Sequence, residues 1–275
     1  MRHIGSAATA ALLLSLGLAA CGSDDTAAPA EVVETTAAPE TTAAEAGHGE
    51  SPDWTYEGEE GPENWGELSE EYVLCADGSA QTPIDVVAAV PTDLVDPSFA
   101  YTAGEATVVN NGHTIQANAG EGNTVTVDGA AFPLKQIHFH APSEHTIDGQ
   151  SFDAEVHFVH KTDDGVITVV GVMIVEGAEN AAWQPYIDGM TVAEDAEQAT
   201  TIDWAAMLPA ARMTYRYQGS LTTPPCTEGV NWLLMENPVE LSAAQISAMT
   251  GAYEGNNRPV QPLNGRDLLI DSSEG

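Results

Sequence analysis

Three histidines have the spacing of a metal site. His138 and His140 alternate along one predicted strand, so both imidazoles project from the same face of that strand. His157 lies on the next predicted strand, and residues 141–153 form a hairpin-like connection that lets the two strands lie side by side. Three neutral imidazole nitrogens suit Zn²⁺ and leave its fourth tetrahedral position open for water. The alternative to a metal site is that the three histidines are structural and form hydrogen bonds within the core.

Polar residues stand two positions before a histidine on both predicted strands. Gln136 precedes His138 and Glu155 precedes His157, in each case on the face that carries the imidazole. Either side chain can accept the ring N–H of a metal-binding histidine and so fix its tautomer. This pattern favours a metal site over satisfied structural histidines.

The segments that position these residues are short and rich in β-branched side chains. Predicted strands cover residues 106–110, 124–127, 136–140, 155–160 and 166–175. Helical patterns are few and cover residues 178–187, 193–198, 202–208 and 242–249, the last with Ser242 as its capping residue. The sequence therefore predicts a single, mainly β domain with a few short helices.

The composition excludes some classes of function. The chain has 275 residues, with 42 Asp and Glu against 7 Lys and Arg, which gives a formal net charge of -35. Binding to nucleic acid or to anionic lipid headgroups requires clustered Lys and Arg, so neither partner is expected. A neutral substrate is indifferent to such a field. The simplest interpretation of the acidic residues is that they keep the protein soluble.

The N-terminal residues predict export. Residues 1–20 have the features of a secretion signal, with a charged start and a short apolar stretch. The stretch ends in Leu18-Ala19-Ala20-Cys21, which resembles the lipobox of bacterial lipoproteins and predicts lipidation of Cys21. An ordinary signal peptide is the alternative. We expect a location in the cell envelope or at the cell surface, with the membrane contacted only through the lipid.

A linker is predicted between this signal and the folded domain. After Cys21, residues up to 50 include no aromatic residue, no Lys and no Arg, and are dominated by Ala, Thr, Glu and Pro. Such a segment buries too little apolar surface to offset the entropy of ordering, so residues 21–50 are predicted to be a disordered tether. The folded domain is therefore assigned to residues 51–275.

Two cysteines lie within that domain. In an exported protein Cys75 and Cys226 favour a disulfide, although two separate buried thiols are the alternative. The bridge would close a loop of about 150 residues, which is worth roughly 4 to 5 kcal/mol on the chain-entropy model.

Ordered motifs from Trp54 to Arg266 resemble the α-class carbonic anhydrases. They are Trp54-Thr55-Tyr56, Gly61-Pro62-Glu63-Asn64-Trp65, Gln81-Thr82-Pro83-Ile84-Asp85, Asn110-Asn111-Gly112-His113, Gln136-Ile137-His138-Phe139-His140, Ser143-Glu144-His145-Thr146, Glu155-Val156-His157-Phe158-Val159-His160, Ser220-Leu221-Thr222-Thr223-Pro224-Pro225, Asn256-Asn257-Arg258-Pro259 and Gln261-Pro262-Leu263-Asn264-Gly265-Arg266. The resemblance implies an α+β domain around a large, twisted, mostly antiparallel sheet, with Zn²⁺ at the base of a cavity. It implies reversible hydration of carbon dioxide to bicarbonate and a proton, and it makes a homodimer an expectation.

The resemblance also implies a role for individual residues. His138, His140 and His157 match the zinc ligands, and Thr222 with Glu144 matches the pair that orients the nucleophile. Further matches are His113 for the proton shuttle, Tyr56 and Asn111 for the relay water, Val159, Val169, Leu221, Thr222, Thr223 and Trp232 for the carbon dioxide site, and Cys75 with Cys226 for a disulfide. Without the resemblance, the apolar members of this set would be interpreted as core.

Two other histidines are not expected to bind the metal. Strand alternation turns His160 away from His157, and His145 falls in the connecting segment, where a hydrogen bond within the core is predicted. Three other functions compete with carbon dioxide hydration: a catalytically silent zinc-binding module of the same family, a zinc hydrolase acting on esters, and a lipoprotein that captures zinc at an exchangeable, shallow site.

Overall fold

A computed structural model describes residues 53–194 and 196–272. The predicted signal, Cys21 and the tether lie outside the described residues. Within the described residues, no helix is both long and apolar enough to cross a membrane.

Strands dominate this part of the chain. They are β1 (Asp85–Val86), β2 (Val90–Thr92), β3 (Ser98–Ala100), β4 (Ala103–Asn110), β5 (Ile115–Ala119), β6 (Thr124–Val127), β7 (Ala130–His140), β8 (Thr146–Ile147), β9 (Ala154–Lys161), β10 (Ile167–Glu176), β11 (Glu197–Asp203), β12 (Thr214–Ser220), β13 (Glu228–Met235), β14 (Val239–Leu241) and β15 (Leu269–Asp271). The helices are α1 (Trp65–Leu68), α2 (Leu74–Asp77), α3 (Gln184–Ile187) and α4 (Ala243–Ala252), with short 3-10 turns between some elements.

Most strands join one large sheet. Its order is β11-β4-β5-β7-β9-β10-β13-β12-β15-β2, with β14 beside β10 and with β6 joining β3 to β7. Within this sheet antiparallel pairs predominate, and parallel pairs occur at β10–β13, β10–β14 and β15–β2. The strands β1 and β8 form a separate parallel pair. The predicted fold class, a mainly β protein around a large and mostly antiparallel sheet, is confirmed.

Both faces of the central strands are covered. Along β9, Val156 and Phe158 belong to one hydrophobic cluster, whereas Val159 packs against a second cluster on the opposite face. On β10, Val170 and Val169 divide between the clusters in the same way. Because successive side chains of a strand alternate between faces, the face of Val159 also carries the histidines.

The register of β7 and β9 sets the geometry of the histidines. The two strands are antiparallel, and His138 lies directly opposite His157, while His140 lies opposite Glu155. An irregularity between Leu134 and Gln136 adds one residue to β7 without disturbing the pairing nearer the histidines. The predicted juxtaposition of these two strands is confirmed.

Predictions for the helices were less accurate. The helix after Ser242 is present, and Ser242 with Gln245 forms a reciprocal capping box. The helix predicted over residues 178–187 is reduced to Gln184–Ile187, and the helices at 193–198 and 202–208 are wrong. Residues 197–203 instead form β11, which pairs with β4 along its whole length. Here tertiary pairing overrides a weak local propensity.

The cysteine pair forms the predicted disulfide. Cys75 in α2 is bonded to Cys226, which follows the Thr222-Thr223 loop. The backbone N–H of Cys226 donates to the carbonyl of Thr223 at 2.8 Å. The bridge therefore fixes this loop, which approaches the histidines, to the N-terminal part of the domain.

Candidate metal centre

Three imidazoles converge on the open side of the β7–β9 pair. The ring centroids of His138 and His140 are 5.1 Å apart, those of His138 and His157 are 5.1 Å apart, and those of His140 and His157 are 4.7 Å apart. One nitrogen from each ring lies within 4.8 Å of the other two. His140 and His157 are buried and His138 is half-buried. The structure thus brings together the three residues that their spacing predicts.

Two of the rings are oriented by the polar residues that precede them. Nδ1 of His138 donates to Oε1 of Gln136 at 2.9 Å, and Nε2 of His157 donates to Oε1 of Glu155 at 2.9 Å. Because an amide or carboxylate oxygen only accepts, each of these ring nitrogens carries the hydrogen. Nε2 of His138 and Nδ1 of His157 are left as lone-pair donors.

The third ring is oriented by a backbone carbonyl from a distant segment. Nδ1 of His140 donates to the carbonyl oxygen of Asn256 at 2.6 Å. Its Nε2 is buried and has no hydrogen-bond partner. Unpaired buried polar atoms are rare in proteins, and a nitrogen of this kind is suited to bind an ion.

Burial keeps all three imidazoles neutral. Burial lowers the pKa of His138 well below its ordinary value and lowers that of His140 to about 4, although the Asn256 carbonyl opposes the second shift. The pKa of His157 is also lowered by burial, against an opposing effect of Glu155. A metal requires the neutral ring, so the site needs no proton loss near pH 7.

Glu155 links the histidines into a hydrogen-bonded network. Its carboxylate accepts from His157, from Nδ1 of His145 at 2.7 Å, and from the backbone N–H groups of Glu144 and His145. Burial opposes ionisation, but His145 and His157 hold the pKa of Glu155 well below its ordinary value. His145 also contacts the hydroxyl of Tyr217 at 2.6 Å, so it bonds within the core and leaves no nitrogen for a metal.

A second carboxylate lies beside the imidazoles. Oε1 of Glu144 accepts from the backbone N–H of Arg258 at 2.8 Å, and Oε2 lies 3.5 Å from Nε2 of His140. Burial raises the pKa of Glu144 to about 7, while His157 and the neighbouring Thr222 hydroxyl oppose the rise. Thr222 is itself buried. The structure therefore places Thr222 and Glu144 together at the metal centre.

A cavity of about 130 Å³ opens beside His138 and His140. Its lining consists of Trp54, Tyr56, Asn111, His113, Thr114, Gln116, Gln136, His138, His140 and Thr223. Tyr56, Asn111 and His113, the residues assigned to the proton relay, all line this space. Burial and then the charge of Glu144 raise the pKa of Tyr56, which keeps its phenol protonated.

His113 stacks on an aromatic ring at the side of the cavity. Its ring centroid is 3.7 Å from that of Trp54, with planes inclined by 8°. The backbone N–H of His113 donates to Oδ1 of Asn111 at 3.0 Å. Partial burial lowers the pKa of His113, and Asp53 and Glu194 oppose the shift. The imidazole is thus neutral at pH 7 and able to accept a proton.

The predicted apolar residues form a wall next to His157. Val159, Val169 and Trp232 lie opposite one another on β9, β10 and β13, and Leu221 packs on the same cluster. The ring centroid of Trp232 is 4.9 Å from that of His157. Among the predicted substrate residues, Thr223 lines the cavity, whereas the four apolar ones pack beside the triad.

His160 points to the opposite face of the sheet, as alternation predicts. It is fully buried, its Nδ1 donates to the carbonyl of Thr168 at 3.1 Å, and its Nε2 contacts the hydroxyl of Tyr101. Burial lowers its pKa to about 4, against opposing hydrogen bonds to the Thr168 and Phe158 carbonyls.

His160 should make stability depend on pH. The pKa in the folded state lies below the unfolded value of about 6.5, so its contribution is complete above pH 6.5 and declines as the pH falls towards 4. Between pH 7 and pH 5 we expect the free energy of unfolding to fall by about 2 kcal/mol more in the wild type than in His160→Gln. Urea denaturation at both pH values measures this difference, and equal losses in the two proteins would contradict it.

Comparison with known proteins decides the family. The eukaryotic-type carbonic anhydrase family model matches residues 60–272. The chain belongs to the α-class carbonic anhydrases. It is 46% identical over 223 residues to a carbonic anhydrase of Klebsiella pneumoniae, covering 78% of this chain and 90% of that one. It is 44% identical over 225 residues to a carbonic anhydrase of Pectobacterium carotovorum, covering 80% and 91%.

A solved carbonic anhydrase has the same fold. The α-carbonic anhydrase of Thermovibrio ammonificans, in complex with the inhibitor sulfanilamide, superposes with a TM-score of 0.76 at 45% identity, covering 79% of this chain and 98% of that one. The shared fold includes the large sheet on which the three histidines stand.

Two residues of this carbonic anhydrase site were missed as functional candidates. Asn256 and Arg258 stand in one of the motifs that carried the resemblance, but neither was assigned a role. Both contact the site through backbone atoms, since the Asn256 carbonyl accepts from His140 and the Arg258 N–H donates to Glu144. Since any residue type carries a carbonyl and nearly every type an N–H, side-chain chemistry gave no signal for these two contacts.

Proposed function

We propose that His138, His140 and His157 bind Zn²⁺ and that the chain thereby catalyses the reversible hydration of carbon dioxide to bicarbonate and a proton. The observation that carries this is the convergence of three neutral ring nitrogens, one of them buried without a partner, beside a cavity. Three imidazoles with an open fourth position are the ligand set of a catalytic zinc ion. Membership of the carbonic anhydrase family assigns the reaction.

Zinc in such a site acts as a Lewis acid that activates water near neutral pH. The protein orients the three imidazoles that would bind this ion. Gln136, Glu155 and the Asn256 carbonyl each hold one ring N–H, so each imidazole presents its remaining nitrogen in a fixed direction. Such hydrogen-bonded partners are typically worth 10- to 100-fold in metal affinity or activity.

Thr222 and Glu144 orient the attacking oxygen. The Thr222 hydroxyl neighbours the Glu144 carboxyl group, whose Oε2 has no other hydrogen-bond partner among the described residues. When the Thr222 hydroxyl donates to this oxygen, a lone pair of the Thr222 oxygen is left to accept a hydrogen bond in the active site. An oxygen that donates to this lone pair is held in one orientation towards the substrate carbon. Positioning of this kind lowers the barrier without a change in chemistry.

Carbon dioxide is neutral and apolar, so it suits the wall of Val159, Val169, Leu221 and Trp232. These side chains form a hydrophobic surface that reaches His157 through the indole of Trp232. Thr223 adds a polar group at the cavity. We infer that this surface holds the substrate beside the metal and excludes competing water.

His113 moves the product proton to solvent. Its imidazole is half-buried, lines the same cavity as His138 and is in contact with Trp54. A histidine at this position can accept a proton inside the cavity and release it to buffer. Tyr56 and Asn111 border the path between the two histidines and are proposed to order water along it.

Replacing His113 with alanine should slow turnover while leaving zinc bound. In weak buffer we expect kcat to fall at least about tenfold, because proton transfer then has no relay group. Added imidazole buffer should restore much of the rate by accepting the proton directly. Stopped-flow hydration assays over a range of buffer concentrations measure both effects. An unchanged kcat in weak buffer would exclude His113 as the shuttle.

The function is tested by carbon dioxide hydration with the purified full chain, before and after zinc removal and readdition. We expect hydration to disappear with the metal and return with it. Tight zinc binding with hydration at the uncatalysed rate would instead indicate a silent binding module. Faster turnover of an ester than of carbon dioxide would indicate a hydrolase.

We also propose that the chain is exported and attached to a membrane through lipid on Cys21. The lipobox-like sequence before Cys21 supports this, and the acidic composition leaves no electrostatic means of membrane attachment. Incorporation of a labelled fatty acid by the wild type but not by Cys21→Ser tests the attachment. The homodimer stays a prediction, which sedimentation of the purified protein decides.

A further inference from the structure

Residues 256–258 connect three parts of the active site. The carbonyl of Asn256 accepts from His140, its side-chain amide donates to the carbonyl of His113 at 3.1 Å, and the backbone N–H of Arg258 donates to Glu144. We call these three residues the active-site strap. The strap lies outside every helix and strand, so no ladder of backbone hydrogen bonds fixes its position.

The guanidinium of Arg258 anchors the strap to the N-terminal part of the domain. Its Nη1 donates to Oε1 of Gln81 at 2.9 Å and to the carbonyl of Thr82 at 2.8 Å, and its Nη2 donates to the carbonyl of Cys75 at 2.8 Å. The indole of Trp65 lies against the guanidinium, 5.9 Å from ring centroid to Cζ. Only a planar fork of donors can satisfy three acceptors from two segments in this way.

This arrangement is costly for stability alone. Arg258 is 1% exposed, and in the described residues no carboxylate lies within ion-pairing distance of its guanidinium. Burial lowers its pKa to about 10, and the charge of Glu144 opposes that shift. Burying a charge without an ion-pair partner costs free energy even when the group is hydrogen-bonded. What this buried guanidinium gains in return is its set of hydrogen bonds to Gln81, Thr82 and Cys75, which anchor the active-site strap.

We propose that Arg258 is a positioning residue whose guanidinium holds the active-site strap, so that the strap orients His140 and Glu144. The inference rests on the proposed zinc site. The Arg258 N–H occupies Oε1 of Glu144 and leaves Oε2 to face the imidazoles of His140 and His157. The Asn256 carbonyl, two residues away, fixes the His140 ring.

Zinc dissociation from the loaded full chain into a chelator tests the proposal together with kcat/KM for hydration. For Arg258→Met we expect zinc to dissociate about tenfold faster and kcat/KM to fall about tenfold, as for loss of other groups that orient metal ligands. Arg258→Lys keeps the charge but not the fork, so it should show smaller changes of the same sign. If Arg258→Met does not fold, the zinc dissociation rate and kcat/KM of Arg258→Lys test the proposal in its place.

Arg266→Met is the matched control. Arg266 is a half-buried arginine that donates to the carbonyls of Gln81 and Gln218, but it does not contact the strap. It should lose thermal stability and keep the wild-type zinc dissociation rate. Arg258 variants with a lower melting temperature but unchanged zinc dissociation and kcat/KM would overturn the proposal. A wild type that binds no zinc would refute the proposed function itself, before any variant is compared.

Discussion

Replacing His157 with alanine is expected to abolish zinc binding and carbon dioxide hydration. The ring contributes one of three converging nitrogens, and its Nε2 bond to Glu155 leaves Nδ1 as the ligand atom. Two histidines cannot complete the protein part of a tetrahedral site. The loss should therefore exceed the 10- to 100-fold typical of removing a group that only orients a ligand. Zinc content after dialysis and stopped-flow hydration measure the two losses.

His113→Ala is the control for this variant, because it also removes an imidazole from the active site but not a predicted ligand. It should retain one zinc ion per chain. The His157→Ala protein should remain folded, since His157 lies on the face next to the cavity and the core cluster of Val156 and Phe158 on the other face is untouched. Retention of full activity in His157→Ala would rule out the ligand assignment.

Thr222→Ala should lower kcat/KM about 100-fold while zinc stays bound. The substitution removes the hydroxyl that links Glu144 to the attacking oxygen, so the oxygen is no longer held in one orientation. Loss of a single well-placed hydrogen-bonding group at a reacting oxygen typically costs 100- to 1,000-fold in kcat. Hydration kinetics at saturating buffer isolate this step from proton transfer through His113.

Thr222→Ser provides the comparison, since it keeps the hydroxyl and removes only a methyl group. It should stay within about tenfold of the wild-type kcat/KM, a loss of less than about 1.4 kcal/mol, because the hydroxyl beside Glu144 is kept. Equal losses in the serine and alanine variants would show that Thr222 acts through packing rather than through its hydroxyl.

The metal site could be predicted from the sequence because it depends on the shortest periodicity in proteins. Two-residue alternation placed His138 and His140 on one face, and a short connection brought His157 opposite them. The same alternation turned His160 away from the site. The partner of His140 could not be predicted, because a backbone carbonyl 116 residues along the chain reaches it.

The errors in the fold have a related cause. Residues 193–198 and 202–208 carry weak helical patterns, but residues 197–203 run along the edge of β4, and pairing with that strand determines their conformation. Thr200, Thr201 and Ile202 suit a strand, a preference that the prediction of two flanking helices undervalued. The position of the 256–258 strap likewise depends on long-range side-chain contacts, above all those of Arg258.

The division of β9 between two hydrophobic clusters separates the positions that affect stability from the positions that affect catalysis. Val156 and Phe158 pack in one cluster, on the face away from His157, so substitutions there should change the melting temperature more than the catalytic rate. Val159 packs beside the metal centre, so changes there act on substrate choice and rate. Substitutions that raise thermal stability can therefore be sought at alternate positions of this one strand, and substitutions that change catalysis at positions between them. Because the two sets face different clusters, their effects should be nearly additive when combined.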